Sequence, residues 1–131
     1  MLDALRRVLE NDQNVAYALL FGSVARGGRR VDSDIDIALE LRTDAARSTE
    51  ALGRLVARLE SAVGATVDLV LLEEAPPGLA YRAFRDGQII VENDHAALVA
   101  RKARAILEYL DFRPIEERCA AGVLRASASG R

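Results

Sequence analysis

The chain has 131 residues, half of them apolar, with a net charge of −2 and one cysteine. That size fits one domain with its own core, and the apolar fraction excludes a disordered chain. The near-neutral balance lacks the positive field of a general nucleic-acid binder, so no direct nucleic-acid partner is expected.

A lone Cys119 leaves no internal disulfide framework and fits a reducing, cytoplasmic setting. No apolar run is long enough for a bilayer, and Met1 to Glu10 does not read as a signal peptide. The 18 basic residues are all arginine except Lys102, from which nothing functional is drawn.

Leu2, Leu5 and Leu9, with Val8 beside them, place a short helix at the start, and Asn11 to Asn14 end it. Val15 to Phe21 (VAYALLF) is almost wholly apolar, the pattern of a strand covered on both faces. Gly22 to Asp32 reads as a basic, glycine-containing turn, and Ile35 to Leu41 as the second strand. A helix beginning between Thr43 and Ser48 carries the stripe Leu52, Leu55, Val56, Leu59 and Val63, closed by Gly64.

Val67 to Leu72 is a third strand. Pro76-Pro77 starts a short helix through Phe84, and Gln88 to Glu92 is a fourth strand. From Asn93 a helix with the stripe Val99, Ala103, Ile106, Leu107 and Leu110 is expected to break or kink at Pro114. A last segment from Ile115 to Arg125 and a frayed tail from Ser127 follow. The order αβ–βα–βα–βα predicts a single α/β (α+β) domain over 1–131, a mixed sheet of about four strands backed by helices. Its catalytic core covers about 12–92 and its C-terminal helical segment about 93–126.

The chemistry concentrates in Phe21 to Asp36, FGSVARGGRRVDSDID. Asp34 and Asp36, two apart at the start of a strand, project to one side. Two adjacent carboxylates raise each other's proton affinity unless a cation lies between them. Oxygen-only ligation points to Mg²⁺ or Mn²⁺.

Gly22 permits close backbone approach, Ser23 adds a hydroxyl, and the turn after it offers N–H groups to phosphate oxygens. Arg26 is the best placed of the nearby cations for a triphosphate, and Arg29 and Arg30 read as solvated. Asp68 interrupts an apolar strand. If that strand lies beside Ile35 to Leu41, Asp68 joins the metal site as ligand and as base for an attacking hydroxyl.

Gly22-Ser23, ten residues, then Asp34-Ile35-Asp36 resembles the pattern of the polymerase β-like nucleotidyltransferase superfamily. The fuller set Gly22, Ser23, Ala25, Arg26, Gly27, Ser33, Asp34, Ile35 and Asp36 is similar to its minimal branch, the MntA-type antitoxins. Tyr109 to Pro114 is similar, more weakly, to the end of such antitoxins.

The resemblance implies that Gly22 and Ser23 hold the triphosphate of ATP and that Asp34 and Asp36 hold two Mg²⁺ ions. Asp68 would serve both metal and acceptor. It further implies AMP transfer, with pyrophosphate release, to a tyrosine of a HEPN-domain (HepT-type) RNase toxin, which is thereby inactivated. The alternatives are transfer to a small-molecule hydroxyl such as an aminoglycoside, and an antitoxin acting by contact alone.

Other residues carry less. Arg82 and Arg85 are candidates for the nucleotide pocket, whereas Tyr81 and Phe84 are assigned to packing. His95 reads as a helix-start residue, and Cys119 as a small core or interface residue. The apolar surface of the C-terminal helix, Val99 to Leu110, is the expected partner contact. No Walker A or dinucleotide glycine pattern occurs.

Overall fold

A computed structural model describes residues 1–22 and 34–128, with side chains described up to residue 111. The elements are α1 (Leu2–Glu10), β1 (Val15–Phe21), β2 (Ile35–Leu41), a 3₁₀ turn (Ala45–Arg47), α2 (Thr49–Val63), β3 (Val67–Leu71), α3 (Pro77–Asp86), β4 (Gln88–Glu92) and α4 (His95–Ala128).

The strands form one mixed sheet in the order β3-β2-β1-β4. β1 is antiparallel to both β2 and β4, and β2 is parallel to β3. β1 is therefore central, and its first six residues are all buried, as the unbroken apolar run predicts.

Alternation along the strands divides the core into two. Ala18, Leu20, Ile35, Ile37, Leu39 and Val67 pack on Leu5 and Leu9 of α1 and Leu55 and Leu59 of α2. Tyr17, Leu19 and Ala38 face the other way, onto Ala80 and Ala83 of α3 and Leu98 and Ala105 of α4. Burying a leucine or isoleucine in such layers contributes roughly 1.5–3 kcal/mol each.

Helix ends follow local chemistry. The Ser48 hydroxyl accepts from the Ala51 amide at the start of α2, and Gly64 ends it in the left-handed region at φ +66°. Pro77 sits in the first turn of α3, where its missing N–H has no helical partner to lose. Asp94 caps α4 by accepting from the Ala97 amide at 3.1 Å.

One expectation for the C-terminal helix needs correction. α4 is one element through Pro114, without a separate segment from Ile115. A proline removes one ladder bond and crowds one carbonyl, and the flanking turns of this helix continue across it. The stripe Val99, Ile106, Leu107 and Leu110, expected as an apolar surface for a partner, does not face the sheet. Leu98 and Ala105 do, and the stripe residues stay exposed. Among the described residues, no helix is long and apolar enough to cross a membrane.

Candidate functional site: a carboxylate pair at the sheet edge

β1 ends and β2 begins at the same pole, with Phe21 the register partner of Asp36. β3 lies beside β2 in parallel, which is the condition on which Asp68 joins the site, and there Asp36 and Asp68 are register partners. Neighbouring strands stand about 4.8 Å apart and partners on parallel strands share a face. Asp36 and Asp68 therefore stand side by side on the α3/α4 face, the face of Ala38 and Val70.

Asp34, exposed, immediately precedes β2. Burial pushes the Asp36 carboxyl above the ordinary carboxylate range. The charge of Asp68 and then that of Asp34 push it further. The sheet has thus gathered negative charge around a half-buried acid, an arrangement that favours a proton or a cation there.

Gly22 borders this cluster. Its φ is +78°, and a Cβ built on it would run into the Asp36 carboxylate oxygen Oδ2. The oxygen-only donor set suits a hard divalent cation. Among the described residues, however, no group of three His, Cys, Asp or Glu side chains is gathered closely enough to hold a metal. The geometry thus supplies an acidic pair with a third carboxylate acting on it through charge. Ser23, Arg26, Arg29 and Arg30 lie outside the described residues.

α3 ends at the same pole as the pair, since Gln88, which follows it, is the register partner of Leu20. Its aromatics pack, as expected. Phe84 lies 6.2 Å from Tyr17, and Tyr81 stacks on Tyr109 of α4 with ring centroids 4.1 Å apart. Arg85 lies over Tyr81 and pairs with Asp86. His95 is the first residue of α4 and its ring pairs with Glu92. The side chain of Cys119 lies outside the described residues.

A partly buried polar chain was not foreseen. The Tyr17 hydroxyl donates to Glu40 at 2.9 Å, and Arg101 of α4 donates to the same Glu40 oxygen at 3.0 Å. Burial, with the Glu40 charge beside it, raises the Tyr17 phenol well above its ordinary range. The sequence does hold a clue: Glu40 stands at the period-2 position after Asp36 and Ala38, where a strand packed under a helix calls for an apolar residue.

A large open groove of about 810 Å³ lies at the opposite pole, lined by residues including Asp12, Asn14, Leu41, Leu55 and Arg58. Val15 pairs with Leu41 there, six residues along β1 from the Phe21–Asp36 end. It takes no part in the carboxylate cluster.

The family model for polymerase beta nucleotidyltransferases matches residues 3–96, across all four strands and the acidic pair. The chain belongs to that family. No curated protein matches this nucleotidyltransferase at a significant level.

Solved structures match along nearly its whole length. One is a chain of a toxin–antitoxin complex with AMP-PNP, at a TM-score of 0.79 and 23% identity, over 94% of this chain and 98% of that one. A second belongs to the toxin–antitoxin pair MntA–HepT, at 0.72 and 22%, over 94% and 96%. A third comes from the tri-AMPylated Shewanella oneidensis HEPN toxin in complex with MNT antitoxin, at 0.72 and 22%, over 95% and 99%. The nucleotidyltransferase shares their fold.

Proposed function

We propose that this nucleotidyltransferase is an antitoxin that transfers AMP from ATP to a tyrosine of a HEPN-domain toxin of the HepT type and so inactivates it. The observation that carries the reading is the Asp36–Asp68 register pair beside Gly22. In relatives of this fold the corresponding complexes hold AMP-PNP or an AMPylated toxin.

Gly22, Ser23 and Arg26 take the triphosphate. Asp34, Asp36 and Asp68 would hold two Mg²⁺ ions, which would supply neutralisation of charge on the phosphates and on the leaving pyrophosphate. The acceptor hydroxyl gives its proton to the Asp68 carboxylate and bonds to the α-phosphorus. The bond from that phosphorus to the bridging oxygen breaks, pyrophosphate leaves, and AMP stays on the acceptor.

In this reading, residues 12–92 form the catalytic core and the segment 93–126 serves the partner. α4 starts at the pole of Ala16 and packs on the face that carries the acidic pair. Its outer side exposes Val99 (48%), Leu107 (63%) and Leu110 (49%). A protein docked there brings its own hydroxyl. The setting is cytoplasmic.

Intact-mass spectrometry tests this after incubation of the chain, ATP and Mg²⁺ with the protein encoded by the adjacent gene. An added AMP on that protein, lost with Asp34→Asn or without Mg²⁺, is expected. Inhibition of the toxin without any mass shift would replace the reading with neutralisation by contact. Absence of both would point to a small-molecule hydroxyl such as an aminoglycoside.

A further inference from the structure

The Gly-Ser turn invites a single role for its glycine, close approach of the backbone to phosphate. The geometry at Gly22 gives it a second neighbour. Gly22 follows Phe21, the register partner of Asp36, so the first residue past β1 lies against the second residue of β2. A Cβ there would overlap Asp36 Oδ2 and lie 3.4 Å from Cγ and 3.6 Å from Cβ of the same residue. All three nearest atoms belong to one side chain.

We infer that Gly22 is a positioning residue for Asp36: the missing Cβ is the space in which the Asp36 carboxylate stands, and that space sets its orientation toward a divalent cation. This rests on the proposal that Asp36 is a metal ligand.

Two separable consequences follow from replacing Gly22. The φ of +78° strains any L-residue with a Cβ, and asparagine tolerates that region better than alanine. The overlap with Asp36 is the same for both. It involves the far end of a short side chain, so the carboxylate can rotate away and the chain can still fold. The damage from the overlap therefore falls on ligand geometry, while the damage from φ falls on stability. Phosphate approach alone predicts a different pattern, in which the free metal is bound normally and only nucleotide affinity suffers.

The test uses the full chain and Mn²⁺ alone, followed by electron paramagnetic resonance, with thermal melting of the same samples. Four proteins are compared: wild type, Asp36→Asn, Gly22→Ala and Gly22→Asn. Displacing a group that orients a metal ligand typically costs 10–100-fold in metal affinity.

The expected result is that both Gly22 variants fold and bind Mn²⁺ at least tenfold more weakly than wild type. Gly22→Asn should melt higher than Gly22→Ala. If Asp36→Asn loses Mn²⁺ but both Gly22 variants bind it within threefold of wild type, the inference is overturned and the metal assignment stands. If Asp36→Asn binds Mn²⁺ as wild type does, or wild type binds none, Asp36 is no ligand and both fall. If Gly22→Ala fails to fold, Gly22→Asn decides by the same criterion. If neither folds, the glycine is needed for the backbone alone and the inference is overturned.

Discussion

Asp36 and Asp68 are register partners on adjacent parallel strands, so the fold itself holds two like charges side by side where one of them is half-buried. A site built for function alone should be poorer in stability than a neutral one. Asp36→Asn is therefore expected to raise the melting temperature of the metal-free chain, by about 1 kcal/mol or a few degrees. The same change, and Asp68→Asn with it, should reduce AMP transfer by ~100-fold or more. Thermal melts in EDTA beside a transfer assay check both; an Asp36→Asn variant that is less stable without metal would show that the repulsion is not felt.

The sign of the pH dependence follows from the same residue. The Asp36 carboxyl holds its proton more tightly in the folded chain than in the unfolded one. Its contribution to stability is therefore fully present below the ordinary carboxylate range and is lost as pH rises through the raised value. The advantage of Asp36→Asn over wild type in EDTA should be largest at neutral pH and shrink as pH falls, which a pair of melting curves against pH reads directly.

Divalent cation should act in the opposite sense, because it needs the ionised carboxylate. Mg²⁺ at 100 times its Kd is expected to stabilise wild type by about 2.7 kcal/mol at neutral pH. That gain should fade on acidification, vanish on chelation and be much smaller in Asp36→Asn. Equal stabilisation of both proteins by Mg²⁺ would place the ion elsewhere.

What could be read in advance was local. VAYALLF announces a strand buried on both faces, and Gly64 marks the end of α2 because only a left-handed residue closes it there. The pairing that makes the site was legible only as a condition. Asp68 matters if β3 lies beside β2, and no single segment states strand order.

α4 was misjudged only at Pro114, which it runs through, and it is apolar on two sides. Leu98 and Ala105 take the sheet, whereas Val99, Leu107 and Leu110 show the cleaner periodicity and stay outside. Contacts such as Arg101 to Glu40 join residues 61 positions apart, and a sequence pattern does not carry that distance.

The Tyr17–Glu40–Arg101 chain makes its own prediction. Glu40 accepts from both partners, so removing it strands a buried hydroxyl and a largely buried guanidinium together. Tyr17→Phe removes one donor and should cost about 1 kcal/mol, whereas Glu40→Ala should cost roughly 2–3 kcal/mol. Denaturant melts of the two variants check the order; equal losses would mean that Arg101 finds water instead.

The exposed side of α4 separates packing from recognition. Of Val99, Ile106, Leu107 and Leu110, Leu107 is the most exposed at 63%, whereas Leu98 and Ala105 of the same helix are buried. Leu107→Asp is expected to change stability by about 0.5 kcal/mol or less, as surface substitutions do. If a partner covers this face, the same leucine becomes buried in the complex. Its loss should then cost about 2 kcal/mol of binding, roughly a 30-fold rise in Kd.

Measured by calorimetry against the protein from the adjacent gene, Leu107→Asp should bind weakly while melting like wild type. Asp34→Asn should bind normally and fail to transfer AMP. That crossed pattern assigns docking to α4 and chemistry to the sheet edge. A Leu107→Asp variant with unchanged Kd would move the docking surface away from this helix and leave the catalytic pole as the place to look.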